Sequence, residues 1–354
     1  MKFYNSKLRR RSFVALSLCT TLWILFGYNG VFLNYNRNEI NCTAMISVVP
    51  PIQLPSITKF DLESNETDRE ALVTLITGDT YVAAALVLGY TLKKHESMKS
   101  RQRDMIALMK HDLVLSKQHR RMLEEVGWKL IEATTFSFPG TVIPRLIDGL
   151  LKLHVWSMTQ YARIAVLDAD AIVTGSIEEP FKFMRSNMDI PLLAVNYLFC
   201  PKVLEKKTYM TAYFNAGVLF LRPNIEHYEA LINLSSKQGY YHLKFPQQNL
   251  LNTYFLGKWL GLSVIYNYVH RNAAWFTDMD SIRIVHYAGT PKPWDQAHTS
   301  QVKSGGDLWP EGDLIWQKFF VNMTREYEWK KHHYLGENPS KELEQSFDFE
   351  RFNL

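Results

Sequence analysis

The sequence predicts an α/β domain with a mostly parallel central sheet, held behind a single membrane-spanning segment. Three observations carry this. Short apolar runs alternate with helical patterns from residue 71 onward. A basic N-terminus precedes a long uncharged apolar stretch. The composition, 47% apolar and 21% charged over 354 residues, is that of a chain able to bury a core rather than of a disordered one.

The elements follow in chain order. Lys2, Lys7, Arg9, Arg10 and Arg11 stand within residues 1–11 with no acid among them, and no charge occurs from Ser12 to Asn36. A helix needs roughly 20 mostly apolar residues to cross a bilayer. Residues 12–33 meet that length, and the basic flank places residues 1–11 in the cytosol as a tail. No small-x-small cleavage site follows Phe26, so a retained signal anchor is expected rather than a cleaved leader. Residues 34–70 carry Pro50, Pro51 and Pro55 and read as a stem. The glycosylation triplets at Asn41, Asn65, Asn233 and Asn322 agree with a lumenal domain.

Ala71–Thr77 then reads as a buried strand, Tyr81–Lys94 as a helix, and Met105–Met109 as a second strand. Ser116 is placed to cap a helix ending near Gly127. Lys129–Ala133 is strand-like, Ile147–Tyr161 has an amphipathic helical pattern, and Arg163–Leu167 is again a buried strand. Such alternation builds a sheet covered on both faces, whose ligands bind beyond the carboxyl ends of the strands. Residues 71–300 are expected to form this domain. Residues 301–354 form a C-terminal helical extension, with Leu314, Ile315, Phe319, Met323 and Tyr327 packed on the core.

Several function classes fall away. Setting the five N-terminal charges aside leaves 35 basic against 35 acidic residues, so no electrostatic footprint for nucleic acid exists. Three cysteines give no disulfide framework and no zinc pair. Cys19 lies in the apolar run, and Cys42 and Cys200 are left to pair or to stay free. Phosphate-loop, dinucleotide, zinc-protease and hydrolase-elbow motifs are absent from the sequence.

Chemistry concentrates at Asp168-Ala169-Asp170, directly behind the run Arg163–Leu167. In an extended chain residues i and i+2 share a side, so both carboxylates are expected to converge. Two such groups repel unless a cation joins them, and a hard dication bound there also bridges to a diphosphate.

Five segments in order resemble the glycogenin-type glycosyltransferases of family 8: TLITGDTYVAAALVLGYTLKKH (74–95), LKLHVWSMTQYARIAVLDADAIV (151–173), FNAGVLFLRP (214–223), QQNLLNTYF (247–255) and HYAGTPKPW (286–294). The resemblance implies the GT-A fold, Rossmann-like, and retaining transfer from a UDP-sugar with a divalent cation, Mn²⁺ or a similar ion. By the same resemblance Asp168, Asp170 and His286 hold the metal. Gly289 and Lys292 contact the diphosphate. Leu75, Thr77 and Tyr81 form the uridine pocket, with Lys152 near the donor. Asn215 and Gly217 lie beside the donor sugar, with Gln248 close by. The family often has an acid where this chain has Gln247; an amide there orients sugar hydroxyls but supplies no base. The anchored layout is similar to fungal Golgi type II members, including α-N-acetylglucosaminyltransferases. It implies a Golgi enzyme moving a hexose or N-acetylhexosamine onto a glycan acceptor. The competing readings are a non-catalytic lectin-like or scaffold protein on the same fold, and a glycogenin-like glucosyltransferase.

Overall fold

The structure, a computed structural model, describes residues 68–96, 103–134, 136, 148–197, 213–237, 239, 241, 245–269, 279–295, 310–336 and 341. The expected tail, anchor (12–33), most of the stem, the three cysteines and the triplets at Asn41 and Asn65 lie outside the described residues. No helix among the described residues is long and apolar enough to cross a membrane.

Ten strands are present among these residues. A seven-stranded sheet takes the order β3-β2-β1-β4-β7-β6-β8, from β1 (Glu70–Ile76), β2 (Asp104–Lys110), β3 (Lys129–Ala133), β4 (Arg163–Leu167), β6 (Leu192–Asn196), β7 (Phe214–Leu221) and β8 (Trp259–Leu262). β1, β2, β3 and β4 are mutually parallel, β7 runs antiparallel between β4 and β6, and β8 is parallel to β6. The expected mostly parallel sheet is therefore present. A second, small sheet joins β5 (Ala171–Val173), β10 (Ile284–His286) and β9 (Tyr268–Val269).

Two cores lie on the two faces of the large sheet, and β1 shows why. Its successive side chains point to opposite faces. Leu72 and Ile76 enter one core with helices α1 (Val82–Glu96), α2 (Lys117–Glu125) and α3 (Glu178–Ser186). Ala71, Val73 and Leu75 enter the other, with the 3-10 helix Gly149–Ser157 and helices α4 (Ile225–Ser235) and α5 (Pro246–Tyr254). Such burial contributes about 1.5–3 kcal/mol for each large aliphatic side chain. Helix α6 (Pro310–Glu326), followed by α7 (Lys331–Leu335), sends Trp316, Phe320 and Met323 into the first core. The helix expected after residue 301 packs on the same body as β1 through Met323, with Ile315, Phe319 and Tyr327 against it, whereas Leu314, expected on that face, is 58% exposed.

Two local expectations are corrected. The pattern over 147–161 forms a 3-10 helix over Gly149–Ser157, with Leu150, Leu151, Leu153, Val155 and Trp156 all buried rather than on one face. The other correction concerns the paired carboxylates, described below.

The amino ends of β1 and β4 are locked by charge. Glu70 stands opposite Arg163 in the register. Its Oε1 accepts from Arg163 Nε at 2.8 Å and from an Arg185 Nη at 2.7 Å, and its Oε2 accepts from Arg103 Nε at 2.9 Å. Arg103 and Arg185 also pair with Glu178, and Arg163 with Asp68.

Candidate active site

The site lies at the opposite, carboxyl ends of the same strands. Leu167 ends β4, and the chain turns at once: the Ala171 amide donates to Asp168 O at 3.0 Å. The two carboxylates therefore converge through a tight turn, not through the pleat of an extended strand. The turn is held from outside, since the Asp168 amide donates to Gly217 O and the Tyr287 amide to Asp170 O, both at 2.8 Å.

Two lysines occupy the outer oxygens. Lys152, only 2% exposed, donates to Asp168 Oδ1 and to Ala216 O, each at 2.6 Å. It is thus a buried partner of the acid pair, on the 3-10 helix. Lys292 donates to Asp170 Oδ2 and, at 2.9 Å, to Tyr287 O. Burial alone would raise the Asp170 carboxyl, but Lys292 and then His286 hold it well below the usual carboxylate range. Burial likewise opposes the charge on Lys292, and Asp170 outweighs it and raises that ammonium.

The inner oxygens face an imidazole. Antiparallel pairing of β5 and β10 sets His286 opposite Ala171, next to Asp170. His286 Nε2 lies 3.3 Å from Asp170 Oδ1 and 4.0 Å from Asp168 Oδ2. Its Nδ1 lies 2.9 Å from Asn267 Oδ1. Gly217 provides the room: a Cβ there would fall 2.1 Å from His286 Cε1. Asn215 Oδ1 accepts from the Gly217 amide at 2.8 Å and from Asn267 Nδ2 at 2.9 Å. Asn215 and Gly217, expected beside a sugar, are thus built into the support of His286.

Ligand atoms of Asp168, Asp170 and His286 all lie within 4.8 Å of one another, the one such cluster among the described residues. Oxygen and imidazole donors without thiolate suit a divalent ion of the Mg²⁺ or Mn²⁺ type rather than a soft metal. With the second oxygens already on lysines, the set that faces inward is one nitrogen and two oxygens, which fits such an ion.

The remaining expected residues gather nearby or support the frame. Leu75 is the penultimate residue of β1, which pairs with β4, and Thr77 and Tyr81 follow the strand. Burial raises the Tyr81 phenol; Lys292 lowers it, and Asp170 and Asp168 add to the rise, so the ring stands in the field of the site. Tyr81 packs edge-on against Trp294 at 6.2 Å, and Trp294 against Trp316 of α6 at 5.2 Å. Gly289 adopts φ +86°, a left-handed conformation that favours glycine, within the turn leading to Lys292. That turn is closed by Asp295, whose Oδ2 accepts from the Lys292 amide at 2.8 Å.

Gln248 is tied down: its Oε1 accepts from the Ala216 amide at 2.9 Å and its Nε2 donates to Tyr213 Oη at 3.1 Å. Asn252, one turn later, bonds both the amide and the carbonyl of Phe214. Gln247 differs. It lies beside Gly149, and its Nε2 is buried with no hydrogen-bond partner among the described residues. The sequence reading missed Asn267, Trp316 and Asp295. Trp294 and Asp295 sit in or beside the quoted HYAGTPKPW segment, but nothing local to Asn267 or Trp316 marks them.

The model of glycosyl transferase family 8 matches residues 77–298. Glycogenin-1 of Mus musculus is 31% identical over 255 residues, covering 66% of this chain and 68% of its own length. Galactinol synthase 7 of Arabidopsis thaliana is 26% identical over 253 residues, covering 63% of this chain and 74% of its own. Among solved structures, the bifunctional glycosyltransferase WbbM aligns with TM-score 0.52 and 14% identity, over 75% of this chain and 52% of that one. The glycosyltransferase GlyE of Streptococcus pneumoniae aligns with TM-score 0.50 and 18% identity, over 74% of this chain and 64% of that one. At those identities the two structures share the fold alone. This chain belongs to glycosyltransferase family 8.

Proposed function

We propose that this family 8 chain is a divalent-metal-dependent, retaining glycosyltransferase that moves a hexose or N-acetylhexosamine from a UDP-sugar to a glycan acceptor. The observation that carries the reading is the inward-facing Asp168, Asp170 and His286 set, with Lys152 and Lys292 on its outer oxygens, at the carboxyl ends of the sheet. A non-catalytic lectin-like protein would have no chemical use for so costly a buried arrangement.

A bound divalent cation supplies charge to a departing diphosphate. The chain's own residues do the rest. Lys152 holds Asp168 against Ala216 of β7. Lys292 serves Asp170 and stands where its charge adds to that of the cation. Tyr81, Leu75 and Thr77 wall the side toward β1 for the uridine, and the Gln247 Nε2, buried without a partner among the described residues, would meet a sugar hydroxyl on a small turn of its side chain. No carboxylate nucleophile is needed if the leaving phosphate assists attack from its own face. Relatives as differently named as glycogenin-1 and galactinol synthase 7 match the chain at similar identity, so family membership does not select the donor or the acceptor.

The Golgi lumen is the proposed compartment, with residues 12–33 as a type II anchor. The support is the basic flank, the uncharged stretch and the four triplets. Protease added to intact microsomes should spare the domain, and digestion without detergent would overturn this placement. For the chemistry, full-length protein is incubated with a panel of UDP-sugars, with Mn²⁺ or with EDTA. UDP release that requires the cation is expected for at least one donor. Sugar binding without turnover of any donor would put the lectin-like reading ahead, and undiminished turnover in EDTA would remove the metal.

A further inference from the structure

We infer that Asn267 is a positioning residue for the metal site: it fixes the proton of His286 on Nδ1, so that Nε2 is the atom offered to a divalent cation. The inference rests on the metal-site reading above but assigns a residue and a proton which that reading leaves open.

The argument starts from a group whose chemistry is not in question. A backbone N–H can only donate. The Gly217 amide points at the Asn215 side chain at 2.8 Å, so the Asn215 atom there is the oxygen, whichever way side-chain amides are assigned. The Asn267 side chain approaches that same oxygen at 2.9 Å, so it must present its NH₂. Its other terminal atom is then the carbonyl oxygen, and this is the atom 2.9 Å from His286 Nδ1. An amide oxygen cannot donate, so the hydrogen between them belongs to Nδ1. Turning the imidazole over would set a ring carbon against Asn267 Oδ1, abandoning that hydrogen bond between buried groups.

Burial makes the chain of contacts binding. Asn267 is fully buried, and Asn215 and His286 nearly so. An unpaired polar atom there carries its full desolvation cost, so each member holds the next in one orientation. Gly217 acts twice, donating the first hydrogen bond and leaving the space the imidazole fills. The protonation pattern of a β10 side chain is thus inherited from the backbone of β7 through two amides. A metal-binding imidazole must have its ligating nitrogen unprotonated, and a partner on the other nitrogen both selects the tautomer and fixes the ring.

Two measurements on the full-length protein test this. In metal-free protein with ¹⁵N-labelled histidine, at a pH where imidazoles are neutral, two-bond ¹H–¹⁵N correlations should show His286 protonated at Nδ1; His286→Gln identifies its signals. An Nδ1 without a proton would overturn the inference whether or not the protein binds metal or sugar. Mn²⁺ titration followed by the paramagnetic resonance of the free ion gives the second readout. Asn267→Leu should weaken binding by about 10–100-fold, the usual effect of removing an outer partner of a metal-bound histidine. Asn267→Asp keeps an acceptor for Nδ1 but sets a second acceptor against Asn215 Oδ1 and buries a charge, so it should cost stability while its folded fraction recovers most of the affinity. Unchanged affinity in Asn267→Leu, or an aspartate variant no better than the leucine one, would reject the role. If the leucine variant does not fold, the wild-type spectrum still decides. A wild type that binds no Mn²⁺ while showing the Nδ1 proton would count against the metal reading and not against the proton assignment.

Discussion

Strands β1 and β4 carry charged clusters at both ends, and the two ends handle paired carboxylates differently. At the amino ends Glu70 and Glu178 meet three guanidinium groups, and both oxygens of Glu70 are taken. At the carboxyl ends Asp168 and Asp170 each give one oxygen to a lysine and turn the other toward His286. With Asp68 on Arg163 counted, formal charge balances at both ends. The difference is donor geometry: a guanidinium is a planar fork that saturates a carboxylate, whereas an ammonium is a point charge that leaves the second oxygen available. The closed cluster can only hold the fold. The open one holds two carboxylates ready for a third charge.

The comparison breaks most sharply at Glu70. Glu70→Gln leaves Arg103 and Arg163, both almost fully buried, short of charge. Breaking a buried ionic network by removing one partner costs about 3–5 kcal/mol. Denaturant unfolding should show that loss, while the folded fraction keeps its Mn²⁺ affinity. A loss of metal binding at unchanged stability would mean that the two ends are not separable.

Asp168→Asn tests the open end. Asp168 is the more accessible acid, at 35%, but its partner Lys152 is as buried as Lys292, so Asp168→Asn leaves a buried ammonium without its carboxylate just as Asp170→Asn does. Loss of one group stabilising developing charge typically costs ~3 kcal/mol, about a hundredfold in rate. Cation-dependent turnover of a UDP-sugar by the folded protein should fall by that factor, and the melting temperature should fall as well because Lys152 loses its charge partner. Normal turnover would show that the acid pair is structural after all.

Acid titration compares the ends by pH. Burial would raise the Glu178 carboxyl, but hydrogen bonds from Arg103 and Arg185 outweigh it and lower it from 4.5. A depressed folded value means stability that is present above the unfolded value and lost as pH falls through the folded one. Glu178→Gln should therefore cost stability near neutrality, about 1–2 kcal/mol given its partial exposure. The gap from wild type should close as the pH drops below 4.5. A gap that is constant with pH would assign the loss to packing rather than to charge.

Much of this contrast was legible in the sequence, and the illegible part has a common cause. β3 and β4 have the boundaries read from their apolar runs, and the three residues named from DAD and HYAGTPKPW lie close enough together to hold one metal ion. A run buried on both faces carries no direction, so nothing local told that β7 runs antiparallel between β4 and β6. The alternation rule placed both aspartates on one side, yet a turn held by Gly217 and Tyr287 does so instead. Asn267 is 52 residues from Asn215 and 19 from His286. Its role is a property of the folded network and has no periodic or spacing signature.

Gln247 gives the smallest expected effect and separates the two ends most finely. The carboxylates of the amino-end cluster are met by guanidinium donors, whereas the Gln247 Nε2 at the open end is buried without a partner among the described residues. A buried amide donor of that kind carries a desolvation cost of about 1–3 kcal/mol until something accepts its hydrogen bond. If a donor-sugar hydroxyl is that acceptor, Gln247→Ala should lose one to two hydrogen bonds formed only with substrate. At roughly 0.5–1.5 kcal/mol for each, catalytic efficiency falls about tenfold. The free protein should not be destabilised, because the alanine variant removes an unsatisfied group. Gln247→Glu replaces that donor with a second acceptor, so it should not raise transfer; it should shift preference among UDP-sugars according to which hydroxyls can donate. The measurement is the initial rate for wild type and both variants against several UDP-sugars with a common acceptor, beside their melting temperatures. A glutamate variant faster by orders of magnitude would mean that the natural chain lacks a carboxylate its chemistry needs. An alanine variant less stable yet equally active would place Gln247 with the closed, structural end of the molecule.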